Sequence, residues 1–419
     1  YVTTERTHHL SRYCTVGFGN EGFRLMTDSY DVVCIGGAIT GSSVAYFLTE
    51  NSDFNGTVAV IEPDPSYEFA QSSRAANSIR EQYSQPININ ISQYGLDFID
   101  NFHENVQVDG QSPILAYRGT GYLFLAASDD DLAFLESQVA AQHAEGAMTR
   151  MLTPSQVADE FPYMDVSQIA GARMGSMREG SFDGWAFFRG FRQRAIHNGA
   201  DFITDRVVDI HTVDDKVTGV RLASGRTIAT GHVVNSAGPR APFIAEMVGL
   251  PLPVEPRART IFMFACRTPI EHNVPLTITP EGVHFRREQN HYMGGGVPKD
   301  DARIDYDDWE TRHDEFEEQI WPAVAKYVPA FDRISKVTSW GGQYAYNTLD
   351  HNLIIGSSPD LPNFWFANGF SGHGLQQGPA VGRALSELIT YGEYRTLDLS
   401  PLSYERLAKN EPFHESAII

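Results

Sequence analysis

The chain has 419 residues, 42% of them hydrophobic and 20% charged, a globular composition too long for one ordinary core, so two domains are expected. A net charge of −21 argues against binding a phosphate backbone, and no apolar run is long enough to span a bilayer. Three cysteines, Cys14, Cys34 and Cys266, form no CxxC pair, which points away from a disulfide framework and towards a reducing, cytosolic compartment.

Residues 1–25 are polar and unpatterned and lack the apolar stretch of a secretory signal. Met26 is expected to be the natural start, with residues 1–25 an N-terminal extension; a genuine arm is the alternative, and the mass of the native protein distinguishes them. Tyr30 to Gly36 (YDVVCIG) is a buried apolar run ending in glycine. Residues 40–50 then have helical spacing, and 57–62 (TVAVIE) form a second apolar strand. Gly36, Ala38 and Gly41 occupy the three fingerprint positions of a dinucleotide turn, with alanine in place of the middle glycine. Ile39 and Thr40 open the following helix, whose N-terminal N–H groups attract phosphate. Glu62 ends the second strand about twenty residues past the turn, where an acid meets ribose hydroxyls. An ordinary βαβ unit with a surface glutamate would show much of this pattern.

Residues 69–84 (FAQSSRAANSIREQYS) are small and polar, suited to packing against a phosphate or an isoalloxazine, although Ser72 or Ser73 could equally cap a helix. Helices are expected over 86–105, 129–145 and from 184, and strands over 120–126, 201–210, 216–223 and 226–235. The 251–345 stretch is strand-rich, with an acidic helical segment at 305–328. Strands at 353–355 and 364–367 and a helix at 378–391 close the chain. Four glycines, Gly369, Gly372, Gly374 and Gly378, surround His373 ahead of that last helix, whose N-terminus could stabilise negative charge on a reduced cofactor; a satisfied turn histidine is the alternative.

Four blocks in order resemble the D-amino acid oxidase superfamily of FAD oxidoreductases, which includes glycine oxidase, sarcosine oxidase and dimethylglycine dehydrogenase. They are VVCIGGAITGSSVAYFL, SSRAANSIREQYSQPINI, VVNSAGPRAPFIAEMVGLPLPVEPRART, and SWGGQYAYNTLDHNLIIG with NFWFANGFSGHGLQQGPAVGRALSELI. The stretches SIREQYS, YNTLD and GFSGHGLQQ are most similar to the subgroup containing the mitochondrial complex I assembly flavoprotein. The resemblance implies an α/β chain, α+β overall. A Rossmann-like FAD-binding domain (26–110, 170–240 and 345–419) would be covered by a substrate domain on a large mixed or antiparallel sheet (111–169 and 241–344). It implies that Ala38, Ile39, Thr40 and Glu62 hold pyrophosphate and ribose, and that Ser72, Ser73, Arg74 and Ala75 pass the phosphates and flavin. Asn77, Ser78 and Ile79 would run beside the isoalloxazine, and Val207 would meet adenine through its backbone. Ala237 and Gly238 would line the nucleotide path; Gly372, His373, Gly374, Leu375 and Gln376 would approach the pyrimidine side. Members that tether FAD do so through a cysteine aligned with Gln343 or a histidine near Arg74, so FAD is expected to be non-covalent.

The implied reaction passes a hydride equivalent from carbon to flavin N5 and leaves an imine that water hydrolyses, with O2 or another electron acceptor reoxidising the cofactor. Arg80 is similar to the arginine that binds the carboxylate of sarcosine; an ion pair with Glu81 or Glu62 is its bland alternative. Tyr344 and Tyr346 stand, with Gln343, in the strand where glycine oxidases carry an arginine, and the two lysines of sarcosine oxidase align with Gln376 and Tyr292. Further cations lie at Arg257, Arg259, Arg286 and Arg287; His284 and Arg286 share one strand face and Phe285 and Arg287 the other, and either face could meet the pocket. The expected substrate is a small anionic amine, including an iminodiacetate-like dicarboxylate. An amine dehydrogenase passing electrons to a quinone or flavoprotein, and a non-catalytic flavin-binding assembly factor, are the alternatives. No metal site, nucleic-acid partner or integral membrane segment is expected, and nothing in the sequence sets the oligomeric state.

Overall fold

The computed structural model describes residues 28–417; the expected extension over 1–25 lies outside them. Ser29–Ile35 (β1) is continuously apolar from Val32 to Ile35, where both its faces are covered. Val32 and Cys34 join a cluster under the helices, whereas Val33 and Ile35 face the opposite layer. Parallel neighbours flank β1: Val58–Glu62 (β2) on one side and Thr227–Asn235 (β3) on the other. Asp201–Thr204 extends the parallel set beyond β2, and Leu361–Asn368 extends it beyond the C-terminal half of β3. The N-terminal half of β3 instead pairs antiparallel with Lys216–Leu222.

Helix α1 (Ile39–Glu50) follows the first turn and is buried from Ile39 to Leu48, more completely than a one-faced pattern predicts. It is packed between the sheet, Gly184–His197 and the long helix Gly374–Tyr391 (α2). α2 starts four residues before the expected 378, so the glycine cluster forms its entry rather than a preceding loop.

A second eight-stranded sheet is antiparallel except where Leu276–Ile278 pairs parallel with Tyr122–Ala126. Its site-bearing strands are Val254–Cys266 (β4), Val283–Glu288 (β5), His291–Gly296 (β6) and Ile334–Asn347 (β7). β4 and β7 pair antiparallel from Val254↔Asn347 to Cys266↔Ile334. Gly171–Met174 also joins this sheet. The helix expected over 305–328 is confined to Trp321–Tyr327 behind a π turn at Phe316–Ile320. Upstream, Asp305 and Asp308 accept hydrogen bonds from the N–H groups two residues on, at Asp307 and Glu310, turns that compete with helix.

Glu179 is fully buried just before the short strand Gly180–Ser181 and accepts from Glu81 N and Gln82 Nε2, each at 2.8 Å. Burial pushes its carboxyl up to about 8. The folded chain therefore holds a proton that the unfolded chain has lost between about 4.5 and 8, so stability falls as pH rises through that window. Glu179→Gln is expected to flatten this fall, by on the order of 1 kcal/mol per pH unit. Thermal midpoints of both proteins from pH 5 to 9 check it; parallel curves would refute the assignment.

Candidate active site

The first turn leaves β1 at Gly36, whose φ of +100° is a left-handed conformation that suits glycine. Ala237 packs against it: a Cβ on Gly36 would lie 2.5 Å from Ser236 O and 3.1 Å from Ala237 Cα. Glu62 organises the same turn, accepting from Gly37 N at 2.8 Å and from Asp64 N at 3.0 Å. Its carboxyl is raised from the usual range by burial. Ala38 is the N-cap of α1 and offers no side-chain cap, and the first turn holds no acid. Its donors are therefore left for an anion; Ile39 N has only a long contact, 3.4 Å, to Ser72 Oγ. Thr40 and Gly41 are buried in that turn.

Ser72, Arg74 and Ala75 line a cavity at the junction of the two large sheets, with Tyr344, Gly372, Gly374 and Leu375 opposite. Counted with its open mouth, the space between these residues is about 720 Å³. Arg74 is locked by bonds to Glu68 O (2.7 Å) and Gly341 O (2.9 Å), with Phe69 and Trp309 against its guanidinium. Asn77 has φ +55° and a buried Oδ1 without a partner; Ser73 Oγ and Gln343 Oε1 are likewise buried and unsatisfied. Ser78 and Ile79 form a two-residue strand, Ile79 fully buried. α2 presents a second N-terminus with neither a side-chain cap nor an acid, and its first residues line the cavity. Two uncapped helix starts and the orphaned oxygens of Ser73, Asn77 and Gln343 fit a dinucleotide with a charged diphosphate and a polar ring. Val207 begins Val207–Val213 and is buried, and Gly238 begins a 3-10 turn after β3 with φ +56°.

Not every expected residue reaches the cavity. Arg80 is 1% exposed, and its guanidinium donates to Gln82 O, Ala417 O and His373 Nε2. These contacts use three of its five N–H donors, and Arg80, expected to receive a substrate carboxylate, does not line the cavity. Nor does it form the alternative ion pair to Glu81 or Glu62 among the described residues. His373 is buried beside it and held well below its ordinary pKa, by burial first and then by Arg80. It is a neutral acceptor at the start of α2, not an acid or base facing a substrate. Gln376 Oε1 accepts from Arg80 N at 3.0 Å. Tyr346 lies away from the cavity, between the Arg257 guanidinium (4.9 Å) and His351. Tyr344 does line it, with the Arg259 guanidinium 4.4 Å from its ring centroid.

The strand-face question is settled by burial: His284 lines the cavity and Arg286 lies behind Ala76, to whose carbonyl it donates. Arg259 pairs with Asp301 (2.6 and 3.2 Å) and Arg286 with Glu288 (2.7 Å), yet the Nε of each arginine is buried without an acceptor. Residues absent from the expected set but on the wall include Gln71, Thr260, Ile261, Gly296 and Phe370. The triple glycine of β6 was a legible signal for Gly296; the others carry none.

A family model described as FAD dependent oxidoreductase matches residues 31–388. FAD-dependent oxidoreductase domain-containing protein 1 of Xenopus laevis is 35% identical over 93% of this chain and 85% of its own length. Sarcosine oxidase subunit beta of Arthrobacter sp. is 28% identical over 90% of this chain and 91% of its own. Among solved structures, L-proline dehydrogenase from P. horikoshii superposes with a TM-score of 0.82 at 25% identity, covering 93% of this chain and 100% of that one.

Proposed function

The chain belongs to the family of FAD-dependent oxidoreductases, and we propose that it oxidises the carbon–nitrogen bond of a small secondary amine or amino acid bearing two carboxylates. Sarcosine oxidase subunit beta and L-proline dehydrogenase, two of its relatives, bear names of secondary amino acids. The observation that carries the two-carboxylate reading is Arg259 on the cavity wall with Arg286 behind that wall at Ala76, the Nε–H of each buried without an acceptor. Arg259 can meet one carboxylate while the rest of its fork stays on Asp301, and Arg286, paired with Glu288 behind Ala76, would attract the second through its charge. When bound, FAD supplies the acceptor for a hydride equivalent from the carbon next to nitrogen; water then hydrolyses the imine. The protein's part is placement and electrostatics. The arginines orient the substrate, Tyr344 braces Arg259, and the N-terminus of α2 stabilises negative charge across the cavity from β4.

The visible spectrum of the purified protein, followed by anaerobic addition of N-substituted amino acids, tests this reading. Bleaching by dicarboxylic amines ahead of monocarboxylic N-methyl amino acids is expected. The reverse order removes the two-carboxylate reading, and a flavin that no amine bleaches removes amine oxidation in favour of the assembly-factor alternative. Oxygen uptake then separates an oxidase from a dehydrogenase.

Neither Gln343 nor Arg74 can form the family's covalent link, and both side chains are engaged by backbone carbonyls. Acid precipitation is accordingly expected to leave the yellow colour in the supernatant. Colour retained in the pellet would overturn non-covalent binding.

A further inference from the structure

An ammonium cannot release hydride from its neighbouring carbon, because the nitrogen lone pair that stabilises the developing positive charge is tied up in an N–H bond. If the amine reading above holds, on which this inference rests, some group must take that proton. His373 is too enclosed, with its Nε2 already accepting from Arg80.

His284 is differently placed. It lines the cavity from β5, and its Nε2 is buried without a hydrogen-bond partner. Room for the ring exists because the residue paired with it on β6 is Gly295; a Cβ there would lie 3.1 Å from His284 Cε1. The charged and titratable groups around it are Arg286 two residues along β5, Arg259 from β4, and Tyr344 from β7. Glu288 and Asp301 lie beyond, held by the two arginines, and Glu315 packs near Thr260. Burial, then Arg286 and Arg259, bring the imidazole down to about 4, so it is neutral at physiological pH. A neutral imidazole is ready to accept a proton, but two adjacent cations make it a weak acceptor.

We propose that His284 accepts the proton of the substrate ammonium, and that the substrate's own carboxylates make it competent to do so by pairing with Arg259 and offsetting the charge of Arg286 behind Ala76. The ammonium N–H bond breaks, its electron pair stays on nitrogen as the free lone pair, and a new N–H bond forms on the imidazole. The imidazolium then lies between two guanidiniums whose charge the substrate has balanced. Only the neutral amine can then give up a hydride equivalent, which FAD would accept when bound. A monocarboxylate balances one guanidinium and leaves the other opposing the transfer, so the same arrangement selects dianionic amines.

The test compares holoprotein with H284Q and H284N, using anaerobic flavin reduction by iminodiacetate from pH 6 to 10. At pH 7 both variants are expected to reduce at least about 100-fold more slowly, the usual scale of general base catalysis. Their rates should recover about tenfold per pH unit towards the amine's own pKa, because the amine then arrives unprotonated. A merely structural loss lowers the rate equally at every pH, and variant profiles parallel to the wild type overturn the proposal. A second readout needs no turnover. In 15N-histidine NMR of the oxidised holoprotein, thiodiacetate, which has two carboxylates and no amine, should raise the pKa of the resonance missing from H284Q by a unit or more. An unmoved resonance overturns the coupling to the arginines even if amines bleach the flavin. A moved resonance in a protein that no amine bleaches upholds the coupling and defeats the substrate reading instead.

Discussion

Gly41→Ala is expected to give a protein that purifies without flavin colour and binds added FAD at least about 100-fold more weakly, a loss of roughly 3 kcal/mol. A Cβ at position 41 would lie 1.9 Å from Gly36 O and 2.9 Å from Ser236 Oγ. The first of these is backbone and cannot rotate away, so α1 must lift off the turn. The donors at the helix start then lose their aim, and two charge-assisted hydrogen bonds at about 1.5–3 kcal/mol each account for the loss. Gly110→Ala is the control. Its φ is +77° but nothing lies within 4 Å of the added carbon, so it should cost about 1–2 kcal/mol of stability and no flavin. Flavin content from the visible spectrum and FAD titration by calorimetry measure both. A yellow Gly41→Ala protein of wild-type affinity would mean that this turn does not hold the diphosphate.

Asp350→Ala is expected to destabilise the fold by about 3–5 kcal/mol, because it strands a buried guanidinium. Asp350 is fully buried and meets Arg406 Nε at 2.6 Å and NH2 at 3.1 Å; it also accepts from Asn347 Nδ2, Asn352 N and Phe413 N. Arg406 donates further to the carbonyls of Leu402, Ser403, Asn352 and Leu353. With the carboxylate gone, the positive charge stays buried among dipoles that do not neutralise it. Adding Arg406→Met should recover part of the loss, since the uncompensated charge leaves as well. Urea unfolding of the two single variants and the double variant checks this. A double variant worse than the sum of the singles would show that the arginine's carbonyl contacts, not its charge, carry the stability.

The YNTLD motif thus proves structural at its last residue. From sequence it marked a family; in the structure Asp350 ties the end of β7 to the C-terminal segment. Arg80 shows the same gap. Its place after a loop expected to run beside the flavin was legible, but Ala417, more than three hundred residues away, occupies part of its fork. No local pattern reports a carbonyl that arrives from the far end of the chain.

The dinucleotide turn was readable because everything it needs is local. An apolar strand, a glycine without room for a side chain, a helix start and an acid at the end of the next strand lie within Ser29–Glu62, and backbone sterics alone enforce their arrangement. The mixed α/β fold was readable for a related reason: strands covered on both faces are apolar throughout, and that shows in composition. The cavity wall was not readable. Arg259, His284 and Tyr344 come from three strands, and each is one of several similar residues on alternating strand positions. Which of them meets the cavity depends on strand register and sheet twist, where a shift of one residue turns every side chain to the opposite face. The sequence by itself therefore determined the cofactor turn and the class of fold. Only the tertiary structure decided which cation lines the cavity and how each is paired, because that depends on partners brought together by non-local pairing.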